Sequence, residues 1–366
     1  MRFKAEKLLL FLVVTRIFIL ILPWLTVNLL FPENTPLSLA DFTITSWNRW
    51  DAPHYLYIAE HWYTSLGDES NFIVFFPLYP LILKPFIFLM GNAAVAGVFL
   101  STILFLIAGY FFYKLVSLDY GEKVARWATI ALAIFPTSYF FNSPYTESLF
   151  LLLFSVSFLA ARKERWIWAG LFAALATAAR PYGFLLALAI LVEWCFSNKR
   201  YLKHLPVIII PSVLSGLAYL YLNQHVYGNP FMFKEILAVH WQKSLVSPVE
   251  GIFDSWRIAF SGGLTNFVLF VGWAEAISAT VAWGLVPLVI KHLKRSWAFF
   301  YIASIALFTS TNFILSMPRY LLSVPPLFVL IGMAQKSYTF RLIWRFASVA
   351  LLFCLAVLFT RGQWAF

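Results

Sequence analysis

The sequence predicts an all-α integral membrane protein, a polytopic helical bundle with about eleven transmembrane helices. Of its 366 residues, 61% are hydrophobic and 12% are charged, and the mean hydropathy is +0.80. Soluble domains carry roughly 25% charged residues, so this chain lacks the polar surface that a water-soluble globule needs. Aromatic residues make up 19% of the chain, as expected where many helix ends lie at membrane interfaces.

The predicted helices correspond to apolar runs along the chain. The first run, residues 8–31, is about 24 residues long, which is enough to span a bilayer. It exceeds the roughly 7–15 apolar residues of a signal peptide, which favours a retained first helix. The other runs are residues 93–116, 124–141, 146–161, 166–179, 181–196, 204–223, 266–290, 297–315, 319–335 and 340–360.

The distribution of charge predicts how these helices are oriented. The chain has 27 basic and 16 acidic residues, a net charge of +11. The basic residues cluster between alternate runs, as with Lys336, Arg341 and Arg345. The positive-inside rule then places the N-terminus in the cytoplasm, and the C-terminus and two long loops, 32–92 and 224–265, outside. This topology explains the positive charge without a nucleic-acid partner.

The same topology requires two interruptions of the helical pattern. Residues 166–196 must form two short spans that meet at Arg180–Pro181, because proline lacks an amide hydrogen and restricts the residue before it. Residues 73–90, which contain three prolines and Lys84, must form a re-entrant or interfacial segment. We therefore predict a single polytopic membrane domain over residues 1–366, with its chemistry on the outer face.

The first outer loop places a carboxylate among aromatic and basic side chains. From Ala52 onward the sequence predicts a short interfacial helix, with Asp51 at its N-cap and Pro53 in its first turn. Asp51 either caps this helix only, or is a general base that accepts a proton from an acceptor hydroxyl. A cap requires no further side chains, yet Asp51 is surrounded in sequence by Arg49, Trp50, His54 and His61.

Two arginines and a glutamate follow at the predicted outer ends of later spans. Arg180 and Arg319 each stand beside a proline. Each either reaches to the lipid headgroups as an anchor or binds a donor phosphate, for which the planar guanidinium is suited. Glu147 either stabilises a helix N-terminus by its charge, or contacts an acceptor hydroxyl or a basic side chain. Tyr320 directly follows Arg319.

The sequence predicts no cofactor and leaves a divalent metal open. His54 and His61 are seven residues apart, whereas metal-binding pairs on a helix are usually spaced by about three or four. Asp68 and Glu69 are adjacent and lack the spacing of a metal clamp, so a hydrated loop is the better interpretation.

Several short motifs also occur in a recognisable order. They are Trp50-Asp51-Ala52 with Ile58-Ala59-Glu60-His61, Phe75-Phe76-Pro77-Leu78-Tyr79-Pro80, Ser143-Pro144-Tyr145-Thr146-Glu147-Ser148, Ala179-Arg180-Pro181-Tyr182-Gly183 and Ser316-Met317-Pro318-Arg319-Tyr320. In content and order they resemble the PIG-V-type mannosyltransferases, which add the second mannose in glycosylphosphatidylinositol synthesis, and their prokaryotic relatives. The first motif is the most specific, and the resemblance covers nearly the whole chain.

The resemblance implies a GT-C glycosyltransferase, with a lipid-phosphate sugar donor, an extracytoplasmic site and a catalytic base that falls on Asp51. We expect inverting transfer of a hexose, above all mannose, from a polyprenyl- or dolichyl-phosphate donor to an extracytoplasmic glycan or glycolipid. The membrane would be the plasma membrane in a prokaryote and the endoplasmic reticulum in a eukaryote. The candidate substrate-binding residues are Arg49, Trp50, His54, His61, Glu147, Arg180, Arg319 and Tyr320.

The alternative is a multi-span transporter or lipid flippase. Transporters place ionisable residues near the membrane midplane and often contain inverted repeats. This sequence shows no repeat. Few ionisable residues fall within the predicted spans: Arg16, and at most Glu193 and Glu275. The polar groups lie instead in the predicted outer loops, which favours the glycosyltransferase.

Overall fold

The computed structural model describes residues 5–31, 36–197, 201–263 and 265–365. Within these ranges the regular structure is helical, apart from one isolated antiparallel bridge between Leu245 and Thr311. The prediction of an all-α membrane protein is confirmed. Residues 32–35 and Leu264 of the predicted outer loops lie outside the described residues, as do residues 1–4 of the predicted cytoplasmic N-terminus.

The helices follow one another with short connections. Shorter helical segments lie at Asp68–Val74, Ser138–Phe141, Pro181–Gly183 and Leu321–Ser323, which are 3₁₀ helices, and at Val268–Ala274, a π-helix. The α-helices of the described chain are α1 (Ala5–Leu30), α2 (Leu39–Ser46), α3 (Ala52–His61), α4 (Leu78–Met90), α5 (Ala93–Tyr120), α6 (Glu122–Ala133), α7 (Glu147–Arg162), α8 (Trp166–Ala179), α9 (Phe184–Cys195), α10 (His204–Tyr227), α11 (Met232–His240), α12 (Pro248–Ala259), α13 (Glu275–Gly284), α14 (Val286–His292), α15 (Arg295–Thr309), α16 (Met317–Tyr320), α17 (Pro325–Ala334) and α18 (Tyr338–Thr360).

Among the described residues, five helices are long and apolar enough to cross a bilayer: α1, α5, α10, the continuous segment Val268–His292 and α18. Two bent pairs meet the same criteria, Asp68–Val74 with α4 and Met317–Ser323 with α17, which gives seven if each pair is one span. α8 and Pro181–Cys195 are shorter apolar helices. Every predicted apolar run contains helix, whereas the number of eleven crossings stays a prediction.

Both predicted interruptions coincide with breaks between helices. α8 ends at Ala179, and the backbone of Arg180 is extended (φ −152°, ψ 146°), as favoured before a proline. The other break follows Val74, where the chain turns by 119° before it enters α4. The first break ends α8 directly before Arg180, whose extended backbone leaves the path of the helix.

Small residues let the helices of the core approach closely. A Cβ atom at Gly170 of α8 would lie 1.9 Å from the carbonyl oxygen of Val207 in α10. At Gly332 of α17, a Cβ atom would lie 2.8 Å from the amide nitrogen of Ala128 in α6. Membrane helices commonly use small residues in this way, because lipid-facing surfaces provide little hydrophobic drive for association.

Arg16, the charge inside α1, finds its partners in the segment that follows α6. Its guanidinium donates to the carbonyl oxygens of Ala133 and Ser138 and to the side-chain oxygen of Asn142. It also lies over the ring of Phe105, 4.4 Å from the centroid. A buried arginine is costly unless its donors are satisfied, so this contact fixes the chain just before Tyr145, Thr146 and Glu147.

A second buried network joins α5, α7, α9 and α15 at another part of the bundle. The carboxylate of Asp119 accepts hydrogen bonds from Arg162 (2.6 and 2.7 Å), Lys294 (2.7 Å) and the indole of Trp297 (2.8 Å). Arg162 also pairs with Glu193 at 2.5 Å. Glu193, one of the acidic residues within a predicted span, is thus part of a satisfied structural ion network.

We expect Gly170→Ala to destabilise the protein, because the new methyl group would overlap the backbone of α10. Overpacking of this kind costs about 1–3 kcal/mol or more, and the midpoint of thermal unfolding in detergent should fall. Gly216→Ala in α10 is the matched control, since no atom lies within 4 Å of the position of its Cβ. Equal melting of the two variants would contradict this account of the α8–α10 contact.

Candidate active site

A cavity of about 620 Å³ lies between the first predicted outer loop, the break after α8, the segment that follows α11 and the residues around α16. Elements that are far apart in sequence therefore contribute to one site. Six of the nine predicted site residues line this cavity: Trp50, Asp51, His54, Arg180, Arg319 and Tyr320.

Asp51 occupies the N-cap position of α3 but does not act as its cap. Its side chain makes no capping hydrogen bond and instead accepts one from Nη1 of Arg319 at 2.7 Å. The backbone before α3 is held separately: the Tyr145 hydroxyl donates to the carbonyl of Arg49 and accepts from the amide of Asp51. Because 27% of its side chain is exposed, the Asp51 carboxylate remains accessible from the cavity.

The charge state of Asp51 follows from two opposing effects. Burial is the largest single effect and acts to raise the pKa of the Asp51 carboxyl, but the charge and hydrogen bond of Arg319, with contributions from His54 and Lys243, together outweigh it. The pKa therefore lies below the ordinary value of 3.8, and Asp51 is ionised at neutral pH. Burial lowers the pKa of His54, and the nearby charge of Asp51 only partly opposes this, so His54 is neutral at pH 7.

His54 is held in place by aromatic rings. Its imidazole stacks on Phe75, with centroids 4.6 Å apart, and meets the edge of Phe72 at 4.4 Å. Phe75 belongs to the second sequence motif, so the two motifs of the first predicted outer loop pack directly together. Trp50 lies against Trp364, with ring centroids 4.6 Å apart, and both rings face the cavity.

Arg319 is positioned by a strained turn and a buried carboxylate. Ser316 adopts the left-handed conformation (φ 71°), which is costly for a residue other than glycine unless its surroundings stabilise it. Here the amides of Ser316 and Met317 each donate to an oxygen of Glu275 at 2.6 Å. The turn leads directly into α16 and directs Arg319 towards Asp51.

Arg180 lines the cavity, but most of its donors point into the protein. It donates to the hydroxyls of Thr146, Tyr182 and Ser323 and forms an ion pair with Glu147. These partners come from the start of α7, the break after α8 and the segment before α17. In this arrangement Arg180 holds three parts of the cavity wall together.

Glu147 is fully buried behind the two arginines and does not line the cavity. Its Oε1 atom pairs with Arg180 and lies 3.5 Å from Nε of Arg319. The sequence left open whether Glu147 stabilises a helix N-terminus, contacts an acceptor hydroxyl or contacts a basic side chain. In the structure it contacts two basic side chains. Arg319 therefore has a carboxylate on each side, Asp51 facing the cavity and Glu147 behind it.

The remaining two predicted site residues lie elsewhere. Arg49 reaches towards the end of α18, where it donates to the carbonyl of Thr360 at 3.4 Å. His61, at the exposed end of α3, stacks on Tyr57, with centroids 4.6 Å apart. Neither residue is part of the cavity lining. His61 is the last residue of α3 and Asp51 directly precedes the helix. The two residues therefore lie at opposite ends of α3.

The sequence did not single out Lys243: the loop 224–265 that carries it either covers the site and contacts a sugar, or lies at the membrane interface. This lysine follows α11 and lines the cavity, with Nζ 5.9 Å from the centre of the Tyr320 ring. Within the described chain it makes no ion pair, so its charge is available to a ligand. The signal was the presence of basic and aromatic residues in the loop 224–265, but nothing local to that loop indicates that it folds over Asp51.

A second, apolar cavity of about 520 Å³ adjoins the first. It lies between α9 and α10, and its wall includes Leu188 and Leu217. The two cavities are adjacent, because four residues contribute to the walls of both. The shared residues are Phe76, Pro181, Tyr219 and Phe233.

In the described part of the chain, no group of three or more histidine, cysteine, aspartate or glutamate residues is arranged to hold a metal ion. Among the described residues that line the cavity, the charged groups are Asp51 and three cations, Arg180, Lys243 and Arg319. This arrangement suits a ligand that carries negative charge next to a group that must lose a proton.

The fold and the site define a polytopic, all-helical membrane protein with a charged cavity. The crystal structure of ArnT from Cupriavidus metallidurans bound to undecaprenyl phosphate superposes with a TM-score of 0.53 and 14% identity. The superposition covers 88% of this chain and 60% of that one, which is a likeness of fold. Residues 76–223 also match the family described as dolichyl-phosphate-mannose-protein mannosyltransferase.

Two relatives make the family resemblance more specific. The chain is 34% identical over 148 residues to GPI alpha-1,6-mannosyltransferase 2 of Cricetulus griseus, which covers 37% of this chain and 29% of the relative. It is 32% identical over 164 residues to the protein of the same name in Mus musculus, which covers 42% and 32%. The matched part thus spans about a third of these relatives. The matches confirm the resemblance to the PIG-V-like mannosyltransferases of the GT-C superfamily.

We expect Glu147→Gln to destabilise the protein strongly, because it leaves the buried charge of Arg180 without its carboxylate. Removing one member of a buried ion pair costs about 3–5 kcal/mol, which should appear as a lower thermal midpoint in detergent. Asp254→Asn is the control, since Asp254 pairs with a largely exposed Arg257 at 3.1 Å and such pairs contribute little. Unchanged melting of Glu147→Gln would rule out this structural role.

Proposed function

We propose that the protein is a membrane glycosyltransferase that moves a hexose, mannose in the first place, from a polyprenyl- or dolichyl-phosphate donor to an extracytoplasmic glycan or glycolipid. The observation that carries this proposal is the position of the Asp51 carboxylate. It lies in a cavity with Arg319 and Lys243, next to the second, apolar cavity. Transfer from a lipid-phosphate sugar needs an apolar cavity for the lipid chain, cations for the phosphate and a base for the acceptor hydroxyl.

The donor would bind across both cavities. Its apolar chain would lie in the second, apolar cavity between α9 and α10. Its phosphate would lie in the larger cavity, beyond the shared wall residues Pro181 and Tyr219. Lys243 offers a charge that no described carboxylate neutralises, and Arg319 offers a guanidinium at the cavity surface. The fold relative bound to undecaprenyl phosphate and the name of the matching family support a donor of this class.

The acceptor would approach from the side of Trp50, Trp241 and Trp364, whose rings face the cavity. Tryptophan rings offer flat apolar faces against which a sugar can pack, and their indole N–H groups can donate hydrogen bonds to its hydroxyls. The relatives named GPI alpha-1,6-mannosyltransferase 2 support a glycan or glycolipid as the acceptor. The charge pattern of the sequence supports an extracytoplasmic position for this site.

A single displacement accounts for the chemistry. Asp51 takes the proton of the acceptor hydroxyl while the acceptor oxygen forms a bond to the anomeric carbon. The bond from that carbon to the phosphate oxygen breaks, and the charge that develops on the phosphate is stabilised by Arg319 and Lys243. Of the described residues that line the cavity, Asp51 is the only carboxylate. One base without a second carboxylate as nucleophile favours inversion of configuration.

The salt bridge between Asp51 and Arg319 makes this chemistry depend on the donor. While Arg319 binds Asp51, the carboxylate is a weak base. A phosphate that enters the cavity competes for the same guanidinium, since arginine binds phosphate in two-pronged fashion. As Arg319 turns towards the phosphate, Asp51 becomes a stronger base next to the acceptor. Donor binding thus prepares the base.

We expect purified protein in nanodiscs to transfer mannose from polyprenyl-phosphate-mannose to a glycolipid acceptor, and Asp51→Asn to lower turnover about 10²–10⁴-fold. Asparagine preserves the size of the side chain and cannot accept the proton. Donor binding should be kept or tightened, because asparagine does not compete with the phosphate for Arg319; the protein should stay folded at the assay temperature, with a melting temperature lowered by the loss of the ion pair. Asp68→Asn, an exposed aspartate of the same loop, is the control. An active Asp51→Asn variant would exclude the proposed base.

We also expect the acidic limb of the pH–activity profile to depend on Arg319. In the native protein the pKa of Asp51 is lowered, so the base stays ionised down to its ordinary value of 3.8 and below. In Arg319→Gln the charge that lowers the pKa of Asp51 is gone and burial raises it, so kcat/KM for the donor, which reports the free enzyme, is lost at higher pH. Arg319→Lys, which keeps the charge, should stay close to the native profile. Identical acidic limbs in the glutamine variant and the native protein would contradict this coupling.

A further inference from the structure

Away from the cavity, three arginines converge on one indole ring at the junction of α6, α17 and α18. The guanidinium carbons of Arg126, Arg341 and Arg345 lie 4.4, 5.6 and 4.1 Å from the centroid of Trp127. α17 separates this arginine cluster from Arg319 by ten helical residues, or about 15 Å along the helix axis. We propose that the cluster, together with Gln335, is a binding site for a phosphate-bearing anion.

Positive charge is concentrated near the start of α18. Arg341 lies at the end of the first turn of α18, where the N-terminal end of the helix dipole disfavours a cation, and Arg345 lies one turn later. They are also four residues apart, and like charges at this spacing repel each other. Within the described chain neither of the two forms an ion pair. A bound anion would offset both the repulsion between the two arginines and the unfavourable interaction with the helix dipole.

A buried amide next to the arginines lacks hydrogen-bond acceptors in the part of the chain that the structure describes. Gln335 is fully buried, and its Oε1 atom accepts hydrogen bonds from Nε and Nη2 of Arg345 at 3.2 and 3.1 Å. Its backbone oxygen accepts from Arg341 at 3.3 Å. These bonds leave Nε2 of Gln335 and the indole Nε1 of Trp127 as buried donors without an acceptor among the described residues. A buried donor without a partner is costly, and a phosphate group has the oxygens to accept from both.

Orientation of the protein in the membrane does not by itself require this geometry. The positive-inside rule is met by exposed basic residues at helix ends, and Lys123 and Lys336 beside the cluster are of this exposed kind. The positive-inside rule does not require several guanidiniums to contact one indole ring and a buried amide, as they do here. The rigid fork of arginine suits phosphate oxygens.

The surface next to the cluster favours a phospholipid over a soluble phosphate as the source of the anion. On α18, Leu342, Ile343 and Phe346 are 59%, 64% and 79% exposed. A phospholipid could place its headgroup phosphate among the arginines while its acyl chains lie along these side chains. A free phosphate would make only the polar contacts.

The test measures lipid retained by detergent-purified protein, by native mass spectrometry with phosphatidylglycerol or phosphatidylcholine added. We expect tight retention of phosphatidylglycerol and at least tenfold weaker retention by the double variant Arg341→Gln, Arg345→Gln. The control, Lys123→Gln with Lys336→Gln, removes the same charge next to the cluster and should retain the lipid. Native retention in the arginine variant, or equal loss in the lysine control, would overturn the proposal.

A second variant separates loss of the site from loss of the fold. Gln335→Glu supplies a carboxylate to Arg345 from within the chain. We expect it to abolish retention of phosphatidylglycerol and to raise the melting temperature in lipid-free detergent. Native retention by this variant would also overturn the proposal.

Inorganic phosphate distinguishes the two sources of the anion. If millimolar phosphate raises the melting temperature and displaces the lipid in the native protein but not in the arginine variant, the site takes soluble phosphate as well. If it has neither effect while phosphatidylglycerol is retained, the site is specific for the lipid. Both results support a phosphate site, whereas absence of an effect from either ligand on the native protein would overturn it.

Discussion

The salt bridge between Asp51 and Arg319 joins residues 268 positions apart and closes the site. Little of the Arg319 side chain is exposed, 7% against 27% for Asp51, and charges this far from water need partners on each side. The pair therefore constrains both elements: α3 must present Asp51, and the turn before α16 must present Arg319. Glu275 secures that turn, and the Tyr145 hydroxyl secures the backbone at Asp51.

Behind this pair, buried polar contacts hold the wall of the site in one arrangement. Arg180 and Glu147 connect the start of α7 to the break after α8. Arg16 fixes the preceding segment from α1. Each of these groups would be costly alone: Arg180 and Glu147 pair with each other, and Arg16 donates to backbone oxygens and to Asn142. The apolar packing of the bundle brings the helices together, whereas the polar contacts determine which side chains meet at the cavity.

The sequence was informative wherever local chemistry dominates. Pro181 predicted the break after α8, and long apolar runs predicted the helices. The sequence assigned Asp51, Arg180 and Arg319 to one face of the membrane, and all three line one cavity. Whether the loop that carries Lys243 covers this site or lies at the interface could not be decided from the sequence, because the fold of that loop depends on distant contacts. Arg49 was misleading for the same reason: its neighbours in sequence face the cavity, but its own side chain turns to the end of α18.

Comparison of the two arginine-rich regions shows how one residue type serves two purposes. At the cavity, Arg180 and Arg319 are balanced by Glu147 and Asp51, so a phosphate there must compete with a carboxylate that it then releases for chemistry. At the cluster around Trp127, no described carboxylate pairs with Arg341 or Arg345, so an anion would bind without displacing anything. The balanced site is suited to exchange of ligands during turnover. The unbalanced one is suited to an anion that stays bound.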